Sequence, residues 1–325
     1  MGQPHDLLSV APRAGLVSVR VPAPLVPLES FLRLALPGDA LLWQGRDELP
    51  VAARGAVARL DLAPGEPLSA LSGRAAGSAE VDRRTRAPDG SLAADPAPAA
   101  TEPGLRWYGG VAFASRAPGD DWRGFGAASF VLPRLAYEPG EQTAWLRLNL
   151  RADELADAGA WLATVDRVVG ELGVEAQTRH AGENTNDRGH MAHHVASAAG
   201  PTGRVVADSA EAYERVVSAA LDAIAGGLCE KIVAARALTV AVTGDAVATL
   251  GRLGDEGLVR FAFGRGDALF FGATPERLVQ LTGRVLSTEA LAGTIAADEA
   301  QAGRRLLASD KDAREHRVVV ATILA

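Results

Sequence analysis

The sequence predicts an α+β fold in which antiparallel strands are packed against outer helices. Short β-rich runs bounded by Pro, Gly or Asp recur over residues 16–62 and again over 106–150. Apolar residues at helical spacing follow, first over 152–172 and then over 208–225. Together these patterns favour layers of sheet and helix around one or two cores.

The composition narrows the class of protein. The chain has 325 residues, 48% of them hydrophobic, which is enough for one large domain or two lobes. A net charge of -7 argues against a nucleic-acid backbone as partner. A single cysteine, Cys229, excludes an internal disulfide and suits a reducing compartment. There is no apolar run of the ~20 residues that span a bilayer and no signal-peptide pattern, so we expect a cytoplasmic protein without membrane contact.

The first elements are strands, and a segment of different composition interrupts them. Residues 63–104 hold many Pro, Ala, Gly and Ser residues with scattered charges, so we predict a mobile loop with a short helix near 68–76. Strands resume over 106–114, 127–132 and 143–150. In the last of these, apolar residues alternate strictly with other residues, which predicts a strand with one buried face.

The predicted helix over 152–172 ends near Gly173, and a polar stretch over 176–204 follows. His190 and His193 lie three residues apart within it, a spacing that can place two imidazoles on one metal. No third ligand joins them, so we interpret the stretch as a solvated loop. The next helix begins at Asp208 and ends at Gly226-Gly227, before a predicted strand over 231–240.

The C-terminal part begins with a hairpin. Two apolar runs, 258–263 and 268–271, flank the turn at 264–267, and Pro275 then stops the strand. A second strand pair turns at Thr282-Gly283 and leads to 290–294. From Asp298 the spacing predicts one long helix up to the last residue.

Four segments of this part resemble successive motifs of the chorismate-utilising enzymes, in that family's order and approximate spacing. The similarity is greatest to the isochorismate synthase branch, of menaquinone or siderophore type. The segments are Glu230–Arg236 (EKIVAAR), Phe271–Glu276 (FGATPE), Thr288–Thr294 (TEALAGT) and Leu306–His316 (LLASDKDAREH).

The resemblance implies an anthranilate-synthase-type (chorismate-binding) fold, two lobes of antiparallel sheet with outer helices. We therefore expect an N-terminal part over 1–205, including the loop near 63–104, and a motif-bearing part over 206–325. Family members continue for roughly another hundred residues, so this chain is expected to be truncated and its fold incomplete at the C-terminus.

Isomerising chorismate by moving a hydroxyl from C4 to C2 needs a base for water and an acid for the departing hydroxyl. Lys231 is the candidate base, since apolar neighbours would disfavour its ammonium form. The resemblance supports this role, because relatives that add ammonia carry glutamine at the position. A lysine extended towards water is the alternative. Glu276 is the candidate acid if burial keeps it protonated. Its alternative is an ion pair with Arg277 or Arg236.

The remaining candidates concern substrate and metal. Gly293 and Thr294 would present N–H groups and a hydroxyl to a substrate carboxylate, or would form a plain turn. The resemblance makes Glu315 a Mg²⁺ ligand, with Asp312 behind it on the same helix face. The alternative is a solvated face on which Glu315 pairs with Lys311.

These observations predict a Mg²⁺-dependent isochorismate synthase that acts on a small molecule, chorismate, and is expected to be a monomer. Three alternatives remain open: salicylate synthase, another chorismate-utilising enzyme, and a truncated chain without activity. Menaquinone and siderophore pathways are equally compatible with the sequence.

Overall fold

The computed structural model describes residues 15–46, 48–71, 81–87, 89–95, 103–113, 122, 124–184, 202–208, 210–254, 257–296 and 298–325. They group into two compact units. The first unit comprises residues 1–195 and 246–274, and the second comprises 196–245 and 275–325. The predicted division at residue 205 stays a prediction, and the structure groups 246–274 with the first unit.

The described residues form fourteen strands and six α-helices, which confirms the α+β prediction. The strands are β1 Leu16–Ala23, β2 Ala40–Gln44, β3 Val51–Leu62, β4 Val81–Arg86, β5 Leu92–Ala94, β6 Tyr108–Val111, β7 Ala128–Pro139, β8 Ala144–Arg151, β9 Thr202–Asp208, β10 Leu238–Thr243, β11 Val259–Arg265, β12 Ala268–Thr274, β13 Gln280–Thr282 and β14 Val285–Ser287. The helices are α1 Leu28–Ala35, α2 Ala158–Asn184, α3 Ala210–Ala225, α4 Ala246–Arg252, α5 Ala302–Leu307 and α6 Asp310–Leu324.

The first unit is built on one large sheet. Its strand order is β12-β11-β2-β3-β7-β8-β1-β4-β5, with β6 paired to β7. All its pairs are antiparallel except β1 with β4, which is parallel. The predicted hairpin over 258–271 is therefore confirmed as β11 and β12.

The core of the first unit lies where α1 crosses the sheet. The rings of Phe31 and Tyr137 are stacked with centroids 5.5 Å apart, and both side chains are fully buried. The Tyr137 hydroxyl accepts a hydrogen bond from the Val26 N–H at 2.7 Å, so its polar end is satisfied inside the core. An apolar helix face and the alternating residues of β1, β7 and β8 thus share one core.

Both faces of β8 are buried, which corrects the prediction of a strand with only one buried face. Arg147 is fully buried, and its Nε lies 2.7 Å from Glu138 Oε1. The same carboxylate accepts from the Gly104 N–H at 2.9 Å, and Arg147 also donates to Ser18 Oγ at 3.0 Å. Polar residues can occupy a buried face because each meets a partner there.

Two further predictions for the first unit need correction. The predicted loop over 63–104 is interrupted, because its described residues include the strands β4 and β5. Most residues of β4 are charged, and they form ion pairs such as that of Arg84 Nε with Asp82 Oδ1 at 2.7 Å, next to the edge strand β5. Helix α2 continues through Gly173 to Asn184, because an interior glycine weakens a helix by only about 1 kcal/mol and need not end it. His190 and His193 lie outside the described residues.

The second unit contains two small antiparallel sheets, β9 with β10 and β13 with β14, and three helices. The predicted helix over 208–225 is confirmed as α3, which ends before Gly226-Gly227 with Gly227 at φ 71°. The strand predicted over 231–240 begins only at Leu238, since residues 231–237 have no regular structure. None of the side chains described in this unit is buried.

The long C-terminal helix is divided into α5 and α6 at Ala308 and Ser309. Ser309 caps α6, because its hydroxyl accepts a hydrogen bond from the Asp312 N–H at 3.2 Å. A serine three residues before an aspartate favours a new helix start over a continuous helix. Over the described residues, no helix is long and apolar enough to cross a membrane.

Candidate functional site

The first two turns of α6 carry the residues around which the motif segments meet. The cap at Ser309 fixes where the helix starts and therefore which side chains share a face. Asp312 lies in the first turn, and Glu315 follows three residues later on the same side. The positive end of the helix favours carboxylates in its first turn.

An ion pair joins the predicted base to the predicted metal ligand. Lys231 Nζ lies 3.1 Å from Glu315 Oε1, and the two side chains are 30% and 38% exposed. Lys231 belongs to the irregular segment after α3, and its neighbour Val233 is 81% exposed. The apolar surroundings that we predicted for Lys231 are therefore not found. The structure pairs Glu315 with Lys231, whereas the sequence had offered Lys311 as its partner.

The segment 289–294 lies along the same helix. Gly293 has φ 89°, and a Cβ built there would be 3.0 Å from Asp312 Cβ. A side chain at position 293 would therefore be strained and crowded. His316 Nε2 lies 3.3 Å from the Ala290 carbonyl oxygen, which is a second contact between segment and helix. Thr294 is exposed. The structure thus brings Gly293 next to Asp312.

Glu276 follows Pro275 on the irregular segment after β12, and its side chain is exposed. The burial that we predicted for Glu276 is therefore wrong: β12 ends at Thr274, and the side chain two residues later is exposed. The next residue, Arg277, lies 3.8 Å from Glu289 and donates to Gln280 at 2.7 Å. These contacts connect the segment of Glu276 to the segment of Gly293.

Sequence reasoning missed two of these contacts, Arg277 with Glu289 and His316 with Ala290. All four residues lie in or directly beside segments that resemble family motifs. That position is the signal that could have found them, because residues of different motifs often meet at one site.

The carboxylates of α6 fit a Mg²⁺ ion by their chemistry. Within the described part of the chain, no three His, Cys, Asp or Glu side chains gather as a metal site. Mg²⁺ needs only one or two protein carboxylates, since water and substrate oxygens complete its shell. The ammonium of Lys231 already occupies Glu315 as a cation, which shows that this carboxylate is placed to meet positive charge.

The chain belongs to the chorismate binding enzyme family, whose model matches residues 15–325. It is 33% identical over 229 residues to the salicylate biosynthesis isochorismate synthase of Pseudomonas aeruginosa, covering 67% of this chain and 45% of that protein. It is 36% identical over 122 residues to the isochorismate synthase MenF of Escherichia coli, covering 34% of this chain and 28% of MenF. These relatives confirm the resemblance to the isochorismate synthase branch.

The fold is also that of a solved relative. The structure of MenF, the menaquinone-specific isochorismate synthase from Escherichia coli, matches with a TM-score of 0.59 at 21% sequence identity. The match covers 95% of this chain and 63% of MenF, which confirms the predicted chorismate-binding fold. The matched segments cover 45% and 28% of the two curated relatives and 63% of the solved MenF chain, so this chain spans less than two thirds of each.

Proposed function

We propose that this chain carries out isochorismate synthase chemistry, the Mg²⁺-dependent isomerisation of chorismate to isochorismate. The observation that carries the proposal is the meeting of Lys231 with Glu315 beside the Gly293 segment. A lysine, a carboxylate and a close-approach glycine from three motif segments suit activation of water next to a bound ring. The names of both curated relatives support the same reaction.

The reaction adds water at one carbon of the ring and removes it at another. The neutral amine of Lys231, formed when the ammonium loses a proton to solvent, takes a proton from water as the oxygen bonds to C2. The protonated carboxyl of Glu276 gives a proton to the hydroxyl that leaves C4. The ring double bonds shift between these carbons, so atoms and charge balance and no oxidant is needed. Exchange of protons with solvent returns both side chains to their starting forms.

Substrate and metal binding fall to the other residues. The backbone N–H groups near Gly293 and the Thr294 hydroxyl bind a substrate carboxylate, since glycine allows a close approach. Glu315 would hold Mg²⁺, and Asp312 would support it from the preceding turn. The ion supplies positive charge beside the anionic substrate when bound.

The test is conversion of chorismate by the purified chain with Mg²⁺, with products separated by chromatography. Lys231→Gln should lower turnover by about 10²- to 10⁴-fold, the range that a general base contributes. Lys311→Gln, which removes the other lysine of the chain, is the matched control and should stay near wild type. Near-normal isochorismate formation by Lys231→Gln would remove Lys231 from the mechanism.

The same assay decides between products. Salicylate together with pyruvate would indicate a salicylate synthase, and the word salicylate in the name of the Pseudomonas relative is the reason to look for it. That product requires elimination of pyruvate after the hydroxyl transfer.

We further propose a monomer that works in the cytoplasm, in keeping with its single cysteine. Sedimentation analysis tests the oligomeric state.

A further inference from the structure

The ion pair between Lys231 and Glu315 is a contact between residues far apart in sequence. It joins the segment after α3 to the second turn of α6, with 3.1 Å between Nζ and Oε1. The chain has 33 basic residues, yet only two are lysines, Lys231 and Lys311. One of the two therefore sits on the carboxylate to which the proposed function assigns the metal.

Two cations cannot share this carboxylate without cost. A divalent ion bound to Glu315 would lie within about 5 Å of an ammonium held at its present distance, and like charges that close repel each other. The side chain of Lys231 is long and 30% exposed, so it can turn towards water when displaced. Mg²⁺ binding at Glu315 and the Lys231 contact therefore oppose each other.

We propose that Lys231 is an internal competitor of Mg²⁺ for Glu315: the ammonium occupies the carboxylate in the metal-free chain, and the metal releases it. This inference rests on the proposed metal site and adds a coupling between metal and lysine. Metal binding then frees the Lys231 side chain to move to the substrate. In the metal-free chain, the ammonium of Lys231 therefore neutralises the charge of the Glu315 carboxylate.

The expected size of the competition follows from the exposure of the pair. Ion pairs with this much solvent contact are weak, so removing the ammonium should tighten Mg²⁺ binding on the order of two- to fivefold. For the same reason its loss should leave the fold intact. Calorimetric titration of Mg²⁺ into the substrate-free chain measures this change without any turnover.

Three variants make the titration specific. Lys231→Gln should bind Mg²⁺ more tightly than wild type, while Lys231→Arg, which keeps a cation of similar reach, should bind like wild type. Lys311→Gln removes the same charge one residue before Asp312 and controls for the change in net charge. Unchanged or weaker binding by Lys231→Gln would overturn the competition and leave the metal site standing. Equal titrations by wild type and Glu315→Gln would overturn the metal site, and the competition with it.

A second measurement follows the lysine itself. Reductive methylation with ¹³C keeps the charge of a lysine and labels only Lys231, Lys311 and the amino terminus. Mg²⁺ should shift the Lys231 methyl resonance in the wild-type chain and leave it unshifted in Glu315→Gln. A Lys231 resonance that does not respond to Mg²⁺ at saturation in the wild-type chain would show that the ammonium is not released.

Discussion

Gly293 lies where the 289–294 segment passes beside Asp312 of α6. Its backbone has φ 89°, and the nearest atoms to a Cβ at this position belong to Asp312. Gly283, in the turn between β13 and β14, has φ 61° and no atom within 4 Å of such a Cβ. Substitutions at these two glycines can therefore be compared to separate the effect of backbone strain from the effect of crowding at the proposed site.

Gly293→Ala should both destabilise the chain and weaken chorismate binding. Strain from a side chain at positive φ costs about 1–3 kcal/mol, and displacement of Asp312 adds to it. Gly283→Ala carries similar strain at a place without neighbours, so it should lower the thermal midpoint and leave binding unchanged. Calorimetry and a chorismate titration measure the two effects. Equal loss of binding in both variants would mean that Gly293 has no particular role at the site.

For single residues, the sequence indicated which side chains lie together better than it indicated how buried they are, and their roles stay predictions. Lys231, Gly293, Asp312 and Glu315 were chosen from the order of their motifs, and the structure places them in contact as two pairs. Their burial was mispredicted for Lys231, and also for Glu276, because apolar neighbours in sequence do not guarantee apolar neighbours in space. Burial depends on what packs from distant segments, and a local pattern does not contain that information.

Among the elements, β8 shows how a polar face can be buried. Glu138 on β7 and Arg147 on β8 form an ion pair with both side chains nearly inaccessible. Glu138 also holds the Gly104 N–H, so the turn at Pro103–Leu105 is fixed over the sheet. At the end of β8, Arg151 pairs with Asp153, and both side chains are more than half exposed. The strand thus offers a buried pair and an exposed pair for comparison.

Glu138→Gln should destabilise the first unit by about 3–5 kcal/mol, because it removes the carboxylate charge that pairs with the buried guanidinium of Arg147. The amide keeps an oxygen for the Gly104 N–H, so the change isolates the charge. Adding Arg147→Met should restore part of the loss, and Asp153→Asn should have little effect. Urea unfolding provides the comparison. A loss in Glu138→Gln no larger than in Asp153→Asn would show that the buried pair does not depend on its charge.

Strands and helices were predictable where the spacing of apolar residues and the turn residues at the ends indicate the same element, and not elsewhere. The hairpin of β11 and β12 and the helix α3 had both a clear apolar pattern and glycines at their ends. By contrast, β4 is mostly charged and is held by its parallel pairing to β1, a long-range partner. The break before α6 depends on the hydroxyl of Ser309. The apolar residues over 298–325 keep one helical spacing, so the pattern gives no sign of this break.

At the scale of the whole molecule, the two units differ in how much surface they bury. The first unit has an extensive apolar core around α1, β1, β7 and β8. In the second unit none of the described side chains is buried, and several large apolar ones are more than half exposed. The sequence pattern did not predict this difference, because helix α3 has apolar residues at helical spacing and yet none of its residues is buried.

Hydrogen exchange should therefore divide the chain along the same line. Amides with few buried contacts exchange through local openings of low free energy, whereas amides of a packed core exchange only when the chain unfolds globally. We expect the amides of β7 and β8 to exchange at least about 10²-fold more slowly than those of α3, α6 and β13, measured by mass spectrometry on the metal-free chain. Helix α2 serves as an internal control, since it packs on the first core and should be protected in its first three turns. Protection of α6 equal to that of β8 would show that the second unit is as stably packed as the first, and that its exposed apolar side chains do not weaken it.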